Sequence, residues 1–369
     1  MRIDAVELRH LRMPLVSSFE TSNWKEEEKT CIIVELHSGR ESGYGECPVS
    51  AGPWYSYETT TSSWHVMKDY LIPLVLGKDF ESPKNLLDSI DSIRGHNMAK
   101  ASFEMAFWDL MAKTKRVSLS KLLGGTQTKV ASGVSVGIQK TTAKLVEAVE
   151  RFLEQGYRRI KIKIKPGQDI ELVTAIREDF PDTPLMVDAN GAYRSEDSET
   201  LAKLDTFDLL MIEQPFAWDD LVDHAELQKN IKTPVCLDES VASLSDFKAA
   251  LALKSCRILN IKPTRVGGFT TSTEIHNLCK SNGIPVWCGG LLETGIGRAH
   301  NTALASLPNF VMPNDISASS RYFKKDIVEP EFSLNNDGTI TVPTRPGLGV
   351  EVAEEKLTEF TERRKVFKP

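Results

Sequence analysis

From Ile160 the chain alternates apolar and charged residues, Ile160-Lys161-Ile162-Lys163-Ile164-Lys165. A period of two marks a strand, so Lys161 and Lys163 project from one face and the isoleucines pack behind them. The theme recurs downstream. Pro184-Leu185-Met186-Val187 closes on Asp188, Leu209-Leu210-Met211-Ile212 on Glu213, Pro234-Val235-Cys236-Leu237 on Asp238, and Ile258-Leu259-Asn260-Ile261 on Lys262. Counted from Lys163, the closing charges fall 25, 25, 25 and 24 residues apart. Five charges thus end five consecutive predicted strands.

Strands are expected near Val134, Ile162, Met186, Met211, Cys236, Leu259, Val286 and Val311, with helices over 140–154, 169–177, 243–254 and 270–281. A sustained strand–helix repeat with buried strands closes most naturally into a parallel barrel, because each right-handed crossover lays the next strand beside the last. An open doubly wound sheet competes, but no Gly-x-Gly-x-x-Gly follows the first strand. The first 125 residues break the rhythm. Met1 to Leu8 alternates like a strand, a hairpin through Ser38-Gly39-Arg40 is expected between 30–37 and 43–47, and helices are expected over 57–71 and 99–115. The fold class that results is α/β, a modified TIM barrel of (β/α)7β form with an α+β cap. Residues 1–125 form the cap and 126–325 the barrel, while 326–369, including a turn-rich stretch over 332–352, return to the cap.

Composition narrows the partners. A net charge of −6 disfavours a broad nucleic-acid or anionic-membrane surface. The N-terminus lacks an apolar signal core and no run approaches a membrane span, so a cytoplasmic protein is expected. Six scattered cysteines without a Cys-x-x-Cys pair read as reduced core residues. His224, His276 and His300 lie in helical stretches without a paired motif and read as structural; Trp54, Trp108 and Trp287 read as core or pocket wall. A small-molecule carboxylate and other copies of the chain are the expected partners.

In a barrel of this kind the C-terminal strand ends converge on the mouth. Lys163 and Lys262 end the second and sixth strands, which are opposed in a ring of eight. Asp188, Glu213 and Asp238 end the strands between them. Three clustered carboxylates repel unless a cation holds them, and an all-oxygen set favours Mg²⁺ or Mn²⁺ over Zn²⁺. A substrate carboxylate on that ion would place its α-carbon between two amines, either of which could move the α-proton while the metal neutralises the enediolate. The basic lysine must be neutral, and Lys161 together with the cation is expected to depress it. Asn190 is a turn residue or a partner to the metal or a lysine, and Glu239 a helix cap or such a partner. Arg265, three residues after Lys262, either holds a second substrate carboxylate or packs in its loop. The glycines around Gly290 and Leu292 permit close backbone approach to a ligand.

With these residues in view the chain resembles the enolase superfamily, muconate-lactonizing-enzyme subgroup. The likeness is carried by Gly43-Tyr44-Gly45-Glu46-Cys47, Ala106-Phe107-Trp108-Asp109-Leu110, Lys161-Ile162-Lys163, Val187-Asp188-Ala189-Asn190, Ile212-Glu213-Gln214-Pro215, Leu237-Asp238-Glu239-Ser240 and Asn260-Ile261-Lys262. It implies Mg²⁺ on Asp188, Glu213 and Asp238, and Lys163 and Lys262 as the acid/base pair, with Lys161 beside them. No His ends the seventh strand as in the mandelate-racemase subgroup, and Asp315-Ile316-Ser317 does not match the Asp-x-Asp of dipeptide epimerases. The strongest likeness is to o-succinylbenzoate synthases that also racemise N-succinylamino acids, seen in Lys262-Pro263-Thr264-Arg265-Val266-Gly267-Gly268, in 285–295 and in 315–319. It implies dehydration of a succinyl-hydroxycyclohexadiene carboxylate for menaquinone synthesis, with Lys163 as base and Lys262 as counter-charge, and racemisation with one lysine per face. Ser135, Asn190, Phe19 and Tyr55 resemble the family's pocket, and Arg265 a position associated with racemase-capable members.

Overall fold

The computed structural model describes residues 1–369. Seven barrel strands, Val134–Val136, Ile160–Lys163, Leu185–Asp188, Ile212–Glu213, Val235–Leu237, Ile258–Ile261 and Val286–Cys288, pair in parallel in chain order. The strand expected near Val311 forms no ladder. Single bridges from Phe310 to Val286 and from Asn314 to Ser132 occupy the eighth position instead. Pro308 and Pro313 explain the difference, since proline has no N–H to donate to a ladder, and Val311 is exposed.

Alternation along the strands builds two layers inside the barrel. Met186, Met211, Cys236, Ile258 and Trp287 form a small apolar cluster of their own. Two residues further along their strands stand Asp188, Glu213, Asp238 and Asn260, all buried. Ile162, Val187, Ile212, Leu237 and Leu259 point the other way, into the large core under the helices. An apolar plug therefore closes the barrel beneath a charged layer.

Helices Thr142–Glu154, Ile170–Asp179, Leu244–Leu253 and Phe269–Ser281 lie within two residues of the expected bounds. Two further helices, Val222–Asn230 and Gly295–Ala305, take in His224 and His300. The first has almost no apolar stripe, and the second is buried at every position.

The cap is an antiparallel sheet of Ala5–Glu20, Lys25–Ser38, Glu41–Cys47 and, at the far edge, Thr361–Phe367. The hairpin turns at Gly39, whose φ of +59° favours glycine. Helix Asn97–Thr114 crosses the sheet at close range, because a side chain at Gly43 or Gly45 would collide with the carbonyls of Ala106 or Ser102. The expected 57–71 helix is Thr60–Val66 continued by a π-turn, Met67–Leu71. The return to the cap sheet is made by Thr361–Phe367, beyond the 332–352 stretch; within that stretch Thr339–Thr341 pairs with Lys129–Ala131 ahead of the first barrel strand.

Glu104 joins the layers. From the cap helix its buried carboxylate accepts the amides of Phe269 and Thr270 at 2.8 and 2.9 Å, the Thr270 hydroxyl at 2.6 Å and the Trp108 indole at 2.8 Å. It thereby caps the helix that follows Lys262 and Arg265. Glu104→Ala would strand those donors in the interior. We expect a loss of about 2–4 kcal/mol, seen as a lower urea midpoint; an unchanged midpoint would deny Glu104 this role.

Candidate active site

Register sets the charged residues side by side. Lys163 is opposite Asp188 in one strand pair and Asp188 opposite Glu213 in the next. The Lys163 ammonium donates to Asp188 Oδ2 at 2.6 Å and to Asn190 Oδ1 at 2.8 Å. Across the mouth, Lys262 follows the sixth strand, donates to Asp238 Oδ2 at 2.7 Å, and stands 4.3 Å from the centre of the Tyr55 ring. The two lysines line one cavity from strands four places apart in the curled sheet. Lys161 is engaged on three sides, at 3.3 Å from Asp188, 2.9 Å from Glu213 and 2.6 Å from Asp315, so it ties the acids together.

The cavity is also lined by Phe19, Tyr55, Ser135, Asn190, Gly290 and Leu292, as anticipated, and by Trp24, Lys29 and Asp315. Ser135 Oγ is buried without a partner, free to meet a ligand. Glu239 Oε1 accepts the Asn190 amide at 3.1 Å, fixing the amide so that its oxygen faces Lys163. Of the two readings of Arg265, packing within its loop is the one its contacts match: the buried guanidinium donates to the Val241 carbonyl at 2.8 Å, the Asn260 carbonyl at 2.6 Å and the Asp238 carboxylate. It thereby acts on Asp238. The Tyr55 hydroxyl also donates to Asp238, at 2.9 Å. His224 and His276 accept the backbone amides of Phe216 and Asn309, which is structural work. Trp54 is exposed and lines a neighbouring cavity that shares Trp24, Tyr55 and Asn190 with this one.

Asp315 continues the pattern of charges at the barrel mouth, but the seventh strand ends in Cys288 without a charge and interrupts the count. Lys29 sits among polar residues of a cap strand, where one more lysine carries no sequence signal.

Burial and proximity set the titrations. Burial lifts Glu213, and the adjacent Asp188 charge adds to it, so Glu213 stands above the ordinary glutamate range. Burial also raises Asp188, but Lys163 and Lys161 outweigh it and hold that carboxyl down. At Lys262 burial lowers the ammonium, yet Asp238, then Tyr55 and Glu239, carry it well above its usual value.

Asp188, Glu213 and Asp238 offer only oxygen, from neighbouring strands, and Asn260 Oδ1 and Glu239 Oε2 are buried without partners beside them. That donor set fits a hard divalent cation. The three carboxylates do not yet meet at a point. Glu7, Glu35 and His37 in the cap are the one trio of possible ligands within 4.8 Å of each other, and Glu7 is already held by Arg9 and Arg364. Asp238 is drawn aside by Lys262 and Arg265, so gripping a cation requires it to give up one of those contacts.

A capped parallel barrel with two lysines lining one cavity beside an acidic row has the build of a proton-transfer enzyme. Residues 3–124 match the model of the mandelate racemase / muconate lactonizing enzyme N-terminal domain, and 144–356 that of the enolase C-terminal domain-like family. The chain belongs to the mandelate racemase / muconate lactonizing enzyme family of the enolase superfamily. It is 49% identical over 368 residues to an o-succinylbenzoate synthase of Geobacillus stearothermophilus, covering 100% of this chain and 98% of that one. It is 45% identical to an N-succinylamino acid racemase of Amycolatopsis, covering 98% of each. A solved enolase-superfamily member from Listeria innocua superposes with a TM-score of 0.96 at 42% identity, covering 100% of this chain and 99% of that one.

A carboxyl held above its unfolded value contributes stability below the ordinary glutamate range and loses it as pH rises through the raised value. A cation must displace the Glu213 proton, so Mg²⁺ should raise the melting temperature more at about pH 8.5 than at about pH 6. Glu213→Gln should flatten that dependence. A Mg²⁺ shift in the parent protein that is the same at both pH values would contradict the assignment.

Proposed function

We propose that the chain is an o-succinylbenzoate synthase acting in menaquinone synthesis and that it also racemises N-succinylamino acids. The observation that carries this is that Lys163 and Lys262, from strands four places apart in the sheet, line one cavity beside the acidic row. Full-length identity to enzymes with each of the two names supports it.

Asp188, Glu213 and Asp238 would hold Mg²⁺, with Mn²⁺ an alternative. When bound, that ion would draw charge from the substrate carboxylate and make its α-proton acidic enough to remove. In the dehydration, Lys163 takes the α-proton and, as an ammonium, returns a proton to the departing hydroxide on the same side. Lys262 stays protonated opposite it, a role favoured by the Asp238 carboxylate on its ammonium. Asn190, locked by Glu239, keeps an acceptor on Lys163 and directs its lone pair. In racemisation each lysine serves one face, so Lys262 must shed its proton, which its bond to Asp238 resists. Tyr55 and Phe19 close the cap side of the cavity against water. No helix is long and apolar enough to cross a membrane, which agrees with a reaction in the cytoplasm.

Two assays test the reading in one preparation. With Mg²⁺, the protein should convert 2-succinyl-6-hydroxy-2,4-cyclohexadiene-1-carboxylate to o-succinylbenzoate and should racemise an N-succinylamino acid. Chelation should abolish both, and added Mg²⁺ should restore them. Failure to turn over either compound in the presence of the metal would overturn the proposal; racemisation without dehydration would leave racemase as the activity.

A further inference from the structure

Lys29 lies on the cap strand Lys25–Ser38 and is 1% exposed. Its ammonium makes a single hydrogen bond, to the Pro48 carbonyl at 2.6 Å, and no ion pair. A buried ammonium with a neutral partner and two spare N–H groups is costly, and natural proteins rarely retain one without use. The two cap carboxylates lining the same cavity do not supply the missing charge. Glu58 accepts the Met98 and Ala99 amides at 2.8 and 3.0 Å, and Glu26 holds the Ser50 hydroxyl. Glu46 reaches Lys29 only through space, since its oxygens take the Thr294 amide and hydroxyl and the Gly297 amide.

Lys29 nonetheless borders the cavity that holds Lys163 and Lys262, from the wall formed by the cap. A substrate whose reacting carboxylate faces the barrel mouth turns its remaining arm toward that wall. We propose that Lys29 is the specificity-determining cation of the cap: it binds the distal carboxylate of the substrate and selects dicarboxylates over acyl analogues that end in a methyl group. This rests on the reading that the substrate carries a succinyl arm. Ammonium-to-carboxylate bonding satisfies both partners in the same desolvated place, and the Pro48 carbonyl holds the ammonium in position beforehand.

The test compares two ligands that differ only at that end, o-succinylbenzoate and o-butyrylbenzoate, by calorimetry on the Mg²⁺-loaded enzyme. The parent protein should bind the dicarboxylate about 10- to 100-fold more tightly, the range expected for one hydrogen bond to a charged group. Lys29→Met should bring that ratio close to one while leaving the Kd of o-butyrylbenzoate unchanged, and Lys29→Arg should retain most of the preference. A purely structural lysine would weaken both ligands alike. A Lys29→Met protein that keeps the parent ratio overturns the proposal. If Lys29→Met fails to fold, the parent ratio decides: a ratio near one overturns the assignment and a large one, kept in Lys29→Arg, upholds it. Failure of the underlying reading shows separately, as absence of dehydration by a parent protein that still discriminates between the two ligands.

Discussion

The structure depends on a buried layer of charge that no single residue could sustain alone. Asp188, Glu213 and Asp238 are at most 1% exposed, and each is met by an ammonium, a guanidinium or an amide. Removing any one partner would leave a neighbour charged and unpaired in the interior, where desolvation is expensive. The row is therefore coupled. Lys161 binds three acids at once, and Arg265 and Lys262 share one. A divalent cation entering the row adds two positive charges, and a dicarboxylate adds two negative ones. The charge balance thus favours binding the two together.

The layers around the row make this tolerable. The apolar floor of Met186, Met211, Cys236, Ile258 and Trp287 closes the barrel from below. The Trp287 ring sits 4.9 Å from the Lys161 ammonium, which gives the cation an aromatic face as well as carboxylates. From above, the cap supplies Tyr55, which touches Lys262 with its ring and Asp238 with its hydroxyl. Glu104 ties the cap helix to the barrel helix behind the sixth strand, so cap placement and lysine placement are linked through one carboxylate.

Much of this was legible in the sequence, because strand alternation and regular spacing are local signals. The second to sixth strands, their closing charges and the barrel follow from the 25-residue rhythm around Lys163, Asp188, Glu213, Asp238 and Lys262, and the cap is marked by its break with that rhythm. At the eighth barrel position the apolar residues around Val311 suggest a strand; the flanking prolines prevent the ladder. The position of Arg265 three residues after Lys262 implies its loop, but its direction is set by the Val241 carbonyl and the Asp238 carboxylate, which adjoin it only in the fold. The engagement of Lys161 by Asp315 and the place of Lys29 on the barrel cavity join residues more than a hundred positions apart, which leaves no local pattern.

The central claim is that two amines reach one carbon from opposite sides. It is tested most directly by α-proton exchange in D₂O, with Mg²⁺, for each enantiomer of an N-succinylamino acid in Lys163→Ala and Lys262→Ala. The account predicts that each variant exchanges only one enantiomer and that the two variants differ in which. Exchange of both enantiomers by either variant, or retention of the same enantiomer by both, would contradict it.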